Sequence, residues 1–198
     1  MNRSIAHRHR IRALVLAALA LGAGAAVQAQ SSSSGMPWTQ QGYIGLNIGK
    51  PDYRNSCGFG PTCEDPNVGW HLYTGGMFNQ WFGIEVGYID MGRADRAGGR
   101  TRARGLNLSL VGRAPIGPVS VFAKAGGTYG RTEVTADLLS GVSTGKDSGT
   151  GISVGAGVGY DINQNSSVVL EYGRHDFHFV GIGREPVELT SIGFVHRF

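Results

Sequence analysis

Residues 151–160 read GISVGAGVGY, and this stretch decides the fold. Its larger apolar side chains stand at every second position from Ile152 to Tyr160, and only glycine and serine stand between them. Successive side chains of a β-strand point to opposite faces, so one face is apolar and the other nearly bare. A soluble strand would need more bulk or charge on its water-facing side. A lipid-facing surface and a narrow lumen explain both faces.

Seven further segments alternate in the same way or more weakly, which predicts eight strands. They are Tyr43–Gly49, Trp70–Met77, Phe82–Tyr88, Leu106–Val111, Val119–Gly126, Val168–Gly173 and Thr190–Phe198. The pattern leaves the two faces of Trp70–Met77 undecided. The predicted fold is all-β, an eight-stranded antiparallel up-and-down transmembrane β-barrel whose apolar faces point outward.

Short and long connectors alternate strictly between these segments. The short ones are residues 78–80, 114–118 and 161–165. The long ones are polar and glycine-rich, at residues 51–67, 91–104, 131–148 and 175–186. Outer-membrane barrels have short periplasmic turns and longer extracellular loops, so the first connector of an exported chain is expected outside.

A soluble secreted barrel of the lipocalin type is the structural alternative, since it also has eight alternating strands. Such a barrel would turn apolar residues inward and polar residues outward. In this chain the charged side chains share their face with glycines, as a polar lumen requires. The alternation therefore favours the membrane barrel.

The beginning of the chain has the order of a secretory signal peptide. Four arginines lie within residues 1–12, an apolar run fills residues 13–26, and small side chains precede a cut after Ala29. The apolar run is shorter than the ~20 residues that a transmembrane helix needs. We predict a signal peptide at residues 1–29, a short leader at residues 30–40 and an outer-membrane barrel at residues 41–198.

Removal of the signal changes the net charge. The full chain has 18 Lys and Arg against 14 Asp and Glu, and subtracting the four signal arginines leaves 14 of each sign. The basic character therefore belongs to the export signal. Nothing in the mature chain indicates a nucleic-acid partner.

Cys57 and Cys63 are the two cysteines, and they stand close together in an exported chain. A single close pair in that compartment indicates a disulfide, and glycines and a proline between them let the ring close. It would contribute on the order of 2–3 kcal/mol by restricting the unfolded chain. A metal or redox pair is the alternative, but the spacing fits neither a zinc ribbon nor CxxC.

The last segment, Thr190–Phe198, carries its alternation to the final residue. Chain ends are normally polar and fray, so an apolar-faced terminal strand needs a special environment. A lipid-facing strand of a closed barrel supplies one. This ending resembles the C-terminal signature of bacterial outer-membrane barrels, which implies that Phe194 and Phe198 form a signal for the barrel assembly machinery.

Over nearly all of residues 43–198 the chain resembles the eight-stranded OmpA-like transmembrane barrel. The likeness rests on the order and spacing of FGIEVGY at 82–88, FAKAGG at 122–127, LEY at 170–172 and GFVHRF at 193–198. It implies a location in the bacterial outer membrane. No residue follows Phe198, so we expect none of the peptidoglycan-binding domain that continues the best-known members.

The resemblance also implies an ion-pair network in the lumen, onto which Glu85 maps. The chain departs from the family where Val111 and Val169 replace frequent basic residues and Gly159 replaces a frequent acid. We therefore expect a rearranged polar network in the lumen. Its members would be Glu85 and Glu171, paired with Lys124, Arg113 and Arg197.

Some small barrels are lipid-modifying enzymes, and the histidines are the candidate catalytic residues of this chain. The closest grouping is His175 and His178, which lacks the His-x-Ser motif of lipid A deacylases. Two histidines three apart in a loop are more typical of a polar rim than of a metal site. Phosphate-cradling glycine motifs are absent. We expect no catalytic residue, no metal and no cofactor.

The second long connector has the strongest charge pattern, five arginines against the single acid Asp95. The arginines are Arg93, Arg96, Arg100, Arg102 and Arg104. A solvated basic loop explains them. Pairing with phosphates of lipopolysaccharide, or with sulfated or acidic host glycans, explains them too, because guanidinium groups bind such anions in a bidentate way.

Five aromatic residues fall near predicted strand ends and are expected to anchor the barrel at the membrane interfaces. They are Tyr43, Trp81, Tyr88, Tyr160 and Tyr172.

These observations favour a monomeric, non-enzymatic barrel that supports outer-membrane integrity and presents its loops to an unidentified host or surface ligand. Outer-membrane lipid and lipopolysaccharide are the expected surroundings. A narrow porin-like channel for small solutes is the alternative, although eight strands leave an interior largely filled by side chains.

Overall fold

The structure is a computed structural model, and it describes residues 41–53, 63–64, 66–96, 99–136, 144–179 and 183–198. The predicted signal peptide and leader lie outside the described residues, and so does Cys57. The cleavage site and the Cys57–Cys63 disulfide therefore stay predictions.

The described residues form a closed antiparallel barrel of eight strands and one short accessory strand. The bounds are β1 Gln41–Tyr53, β2 Cys63–Glu64, β3 Gly69–Met77, β4 Phe82–Arg96, β5 Gly99–Ile116, β6 Val119–Ala136, β7 Gly145–Asn163, β8 Ser166–Phe179 and β9 Gly183–Arg197. Each barrel strand pairs with its neighbours in the chain, and β1 pairs with both β3 and β9, which closes the sheet. The accessory strand β2 pairs with the end of β4. The predicted fold class is confirmed.

The two faces of the strands have the predicted orientation. On the exterior, Leu110 is 63% exposed and Ile152 is 60% exposed, whereas Glu85 inside is 1% exposed. The exterior aliphatic positions continue on all eight barrel strands. This exterior contradicts the lipocalin-type alternative, which requires polar residues outside.

The undecided strand β3 is also resolved. His71 and Tyr73 are buried in the lumen, and Leu72 between them is 44% exposed on the exterior. Within the described part of the chain, no helix is long and apolar enough to cross a membrane.

Three short connectors mark one end of the barrel, called here the inner end. They occupy residues 78–81, 117–118 and 164–165, close to the predicted positions. Gly117 adopts φ +63°, a left-handed conformation that glycine takes without strain. Short turns of such barrels lie in the periplasm, so the opposite end, called the outer end, faces outward.

The prediction of four long polar connectors is wrong over much of its length. β4 continues to Arg96 and β5 resumes at Gly99, so most of residues 91–104 are paired strand. β6 and β7 likewise occupy part of residues 131–148, and β8 runs to Phe179. A membrane-crossing strand needs ~9–11 residues, and these strands have 14 to 19.

The strand extensions have their own side-chain order. Arginines face outward there, while Ala94 and Ala103 are fully buried inside. Gly92 adopts φ +70° where the register shifts between Asp90 and Arg93, which is the geometry of a β-bulge. Polar outward positions with small or apolar inward ones thus form strands that project beyond the lipid-facing band.

Candidate functional site

The middle of the lumen is held together by Lys124 of β6. Its Nζ lies 2.9 Å from Glu85 Oε1 on β4 and 2.9 Å from Glu171 Oε2 on β8. All three side chains are at least nine-tenths buried. The ammonium therefore ties three strands together across the lumen.

Glu85, Lys124 and Glu171 are called here the central triad. Two neutral side chains donate hydrogen bonds to its carboxylates. Tyr43 Oη donates to Glu85 Oε2 at 3.2 Å, and Asn47 Nδ2 donates to Glu171 Oε2 at 3.0 Å. Buried carboxylates need such donors, because one cation does not neutralise two acids. The predicted association of Glu85, Lys124 and Glu171 is therefore present in the structure.

The predicted pairing of Arg113 and Arg197 with Glu85 and Glu171 is wrong. Both arginines bind Asp161 at the inner end, Arg113 Nη2 at 3.3 Å and Arg197 Nη2 at 2.9 Å. Ser167 Oγ also donates to Asp161, at 2.5 Å. Asp161 occupies the next inward position after Gly159 on β7.

Two apolar clusters fill the lumen on either side of the central triad. The inner apolar cluster consists of Tyr43, Tyr73, Met77, Phe122, Val169 and Val195. The outer apolar cluster consists of Tyr53, Ile89, Met91, Ala94, Ala103, Phe177, Phe179, Val187 and Leu189. Close packing of such side chains excludes water.

Small cavities lie among the described lumen residues, two of them beside the central triad. One of about 60 Å³ lies beside the inner apolar cluster, between Arg113, Arg197 and Lys124. The other, about 10 Å³, lies between His71, His175 and Glu171 and has room for about one water molecule.

The histidine grouping His175 and His178 is split by the strand. β8 includes both residues, so an odd spacing sends them to opposite faces. His175 is buried in the lumen with Nδ1 3.0 Å from Thr128 Oγ1, and His178 is half-buried with its ring against Gly149 of β7. Placing them in a loop was wrong. Among the described residues, no group of three or more His, Cys, Asp or Glu could hold a metal ion.

Four charged side chains lie together on the exterior of the outer end, and one of them, Arg104, belongs to the predicted basic connector. Arg104 Nη2 of β5 lies 3.2 Å from Glu133 Oε1 of β6. Lys146 Nζ of β7 and Arg131 Nε approach the same oxygen at 3.4 and 3.8 Å. We call Arg104, Arg131, Glu133 and Lys146 the outer cationic cluster.

Glu133 lies outside the membrane-spanning part of β6. The hydrogen bond with Lys146 lowers the pKa of its carboxyl below the usual value, and the two arginines act in the same direction. The cluster therefore holds three positive charges and one negative charge at neutral pH.

The other four predicted arginines belong to the same end of the barrel. Arg93 is exposed on β4 and lies directly across from Arg102 on β5. Arg102 forms an ion pair with Asp90, and Arg100 is exposed. Arg96 pairs through its backbone with Gly99, and its side chain lies outside the described residues.

The C-terminal aromatics lie on the lipid-facing surface at the inner end. Phe194 is 49% exposed and Phe198 is 63% exposed. The Phe198 N–H donates to Gly42 O at 3.0 Å, and its ring lies over Gly42. The final residue thus joins β1, the first strand of the barrel.

The aromatic anchors are placed on the exterior with one exception. Trp81, Tyr160 and Tyr172 are 46%, 57% and 45% exposed. Tyr88 lies half-buried against Trp70, with ring centroids 5.4 Å apart. Tyr43 as an interfacial anchor is wrong, because its ring is buried in the lumen.

A lipid-facing exterior around a filled polar and apolar lumen defines a small membrane β-barrel. The family model described as outer membrane protein beta-barrel domain matches residues 15–194, so the chain belongs to that family. The predicted OmpA-like resemblance and the location in the bacterial outer membrane are confirmed.

Curated relatives support the same assignment. Outer membrane protein A of Salmonella typhi is 30% identical over 171 residues, covering 79% of this chain and 48% of the relative. Outer membrane protein A of Serratia marcescens is 29% identical over 161 residues, covering 74% and 43%. The chain spans about half the length of the curated relatives it matches.

Solved structures agree on the fold. Neisserial surface protein A superposes with a TM-score of 0.63 at 18% identity, covering 79% of this chain and 97% of that one. Ail of Yersinia pestis gives 0.52 at 17%, covering 80% and 97%, and a structure of Ail with the heparin analogue sucrose octasulfate gives 0.51 at 16% with the same coverage. OprG of Pseudomonas aeruginosa gives 0.52 at 15%, covering 80% and 95%.

Proposed function

We propose that this outer-membrane protein is a non-enzymatic, non-conducting barrel. It supports the integrity of the outer membrane and presents its projecting outer end to the surroundings of the cell. The observation that carries the proposal is the filled lumen: two apolar clusters with a buried ion-pair triad between them. A solute would have to break the triad and displace both clusters in order to pass.

The described residues also favour a structural role over catalysis. A nucleophile needs a base within hydrogen-bond reach and a cleft that admits substrate. His71 and His175 are the lumen histidines, and both are buried beneath the outer apolar cluster. Accordingly, the proposal includes no metal and no cofactor.

Conductance of the pure protein separates this proposal from a narrow porin-like channel. Protein refolded from denaturant and inserted into planar bilayers should give no steady current steps. A porin inserted under the same conditions serves as the positive control for detecting channels. Steady channels from the unchanged protein would contradict the non-conducting proposal and support the porin-like alternative.

The integrity role is tested in cells that lack the gene. Such cells should show increased sensitivity to bile salts or to a large antibiotic that the outer membrane normally excludes. Expression of the unchanged protein should restore resistance. Equal resistance with and without the gene would contradict a role in integrity.

We further propose that Phe198 is the recognition signal for barrel assembly. Its exposed ring and its position on the lipid-facing surface support this role. Phe198→Ala should lower the folded fraction in the outer membrane, read as the heat-modifiable band on electrophoresis, without changing refolding in detergent. An unchanged folded fraction in cells would contradict the proposal.

A further inference from the structure

We infer that the outer cationic cluster is a binding site for the phosphate groups of the outer-leaflet lipid, the phosphorylated glucosamine disaccharide of lipopolysaccharide. The inference deepens the proposed surface role of the outer end and rests on it. It places the ligand site on the barrel wall of β5, β6 and β7, where Arg104 is the member shared with the predicted basic connector.

The height of the cluster on the barrel favours a lipid headgroup. Arg104 lies two residues before Leu106 on β5, and Arg131 lies two residues after Tyr129 on β6, all on the exterior face. Leu106 is 56% exposed and Tyr129 is 57% exposed, as expected for lipid-facing positions at the edge of the membrane. Two strand residues rise ~7 Å, so the guanidinium groups lie at headgroup level.

The register places like charges directly opposite one another. Arg104 of β5 lies directly across from Arg131 of β6. Like charges at opposed cross-strand positions destabilise a sheet unless something offsets their repulsion. An anion held between the arginines would supply that offset.

Among the described ion pairs of the cluster, one negative charge faces three positive ones. Glu133 is the carboxylate facing three cations, and all three contacts go to its Oε1. Because the three cationic nitrogens lie within 3.8 Å of one atom, they surround a single small volume. Arg131 and Lys146 are 53% and 63% exposed at their side chains, so a phosphate has access to them.

Phosphate matches these donors chemically. Guanidinium groups bind phosphate through two parallel N–H···O bonds, and an ammonium adds a point charge. Each charge-assisted hydrogen bond is about twice as strong as a neutral one. In the outer leaflet of this membrane, the lipid itself brings phosphate to the height of the cluster.

Binding of purified lipid to the detergent-refolded protein tests the inference. The probes are lipid A with two phosphates and the same lipid with both phosphates removed, titrated and counted by native mass spectrometry. Arg104→Gln with Arg131→Gln should weaken binding of the phosphorylated lipid by about tenfold. The dephosphorylated lipid should bind weakly and equally to all variants.

The matched control is Lys50→Gln with Arg174→Gln. It removes the same charge from exposed positions on β1 and β8, away from the cluster. It should leave binding within about twofold of the unchanged protein. Heat-modifiable electrophoresis establishes that every variant has folded.

A third variant moves affinity in the opposite direction. Glu133→Gln removes the carboxylate that competes with phosphate, so the phosphorylated lipid should bind more tightly. If Glu133 instead only supported the barrel, this variant would weaken binding or leave it unchanged, and either result would overturn the inference.

Two other results would also overturn it. One is an equal loss of phosphorylated lipid in the control variant, which would indicate net charge alone. The other is binding of the soluble polyanion sucrose octasulfate without binding of phosphorylated lipid, which would indicate a glycan-like ligand. Because the readout is binding in detergent, failure here is distinguishable from failure of the integrity role in cells.

Discussion

Lys124 is the cation of the buried ion-pair triad in the middle of the lumen. Lys124 lies between two carboxylates that face each other across the barrel, and each carboxylate has one neutral donor besides the ammonium. Removing one member of a buried ion pair strongly lowers stability, because the remaining charge is then buried without a partner and without water.

Lys124→Met is therefore expected to destabilise the barrel by about 3 kcal/mol or more, since it leaves Glu85 and Glu171 buried without a cation. Urea unfolding in lipid vesicles, followed by the shift between folded and unfolded bands, measures the loss. Lys50→Met, at an exposed position of β1, is the control and should change stability by less than about 0.5 kcal/mol. Equal stability of the two variants would contradict a structural role for the triad.

Sequence reasoning reached this residue but not all of its neighbours. Lys124, Glu85 and Glu171 stand at inward positions of clear alternation, so their shared face was predictable from period two alone. The acid that pairs with Arg113 and Arg197 was not predictable in this way, because Asp161 stands in a segment interpreted as a turn. Pairing across a lumen depends on the stagger of strands around the barrel, which alternation along one strand does not encode.

The strands themselves differ in how far their sequence reveals them. The lipid-crossing parts carry Leu, Ile and Val at every second position and were identified. The extensions alternate arginine or threonine with alanine, glycine or methionine, a pattern that resembles a polar loop unless the inward packing is known. Within the described residues, Ile89, Met91 and Phe177 supply that packing, since all three are fully buried.

Closure of the barrel depends on the contact between the first and last strands. Gly193 of β9 lies opposite Asn47 of β1, and a Cβ there would collide with the Asn47 side-chain oxygen and lie 2.8 Å from Leu46 O. The Asn47 amide is also the donor to Glu171. Any side chain larger than hydrogen at this position would push the closing strands apart.

Gly193→Val should therefore lower the stability by about 1–3 kcal/mol, as overpacking of a close contact does. The measurement is the urea midpoint of refolding into vesicles. Gly112→Val provides the same substitution where the nearest atom, on Phe82, is 4.0 Å from the added Cβ, and it should be tolerated. Equal urea midpoints for the two variants would contradict the close contact between β1 and β9 at Gly193.

The whole molecule combines a lipid-facing middle with an outer end that projects beyond it. The lipid-facing part is set by the outward aliphatic residues, and the projecting part is stabilised by the outer apolar cluster inside it. The outer cationic cluster lies where these two parts meet. This division is consistent with the proposed role of the outer end as a surface structure.

The direction in which side chains point is the claim on which the rest depends, and spin labelling of β5 tests it most directly. Single cysteines at residues 106 to 110, in a Cys57→Ser, Cys63→Ser background, would carry the label in refolded vesicles. Collision with oxygen dissolved in the bilayer should be high at Leu106, Leu108 and Leu110 and low at Asn107 and Ser109. Uniform accessibility along the strand, or the opposite alternation, would contradict the account.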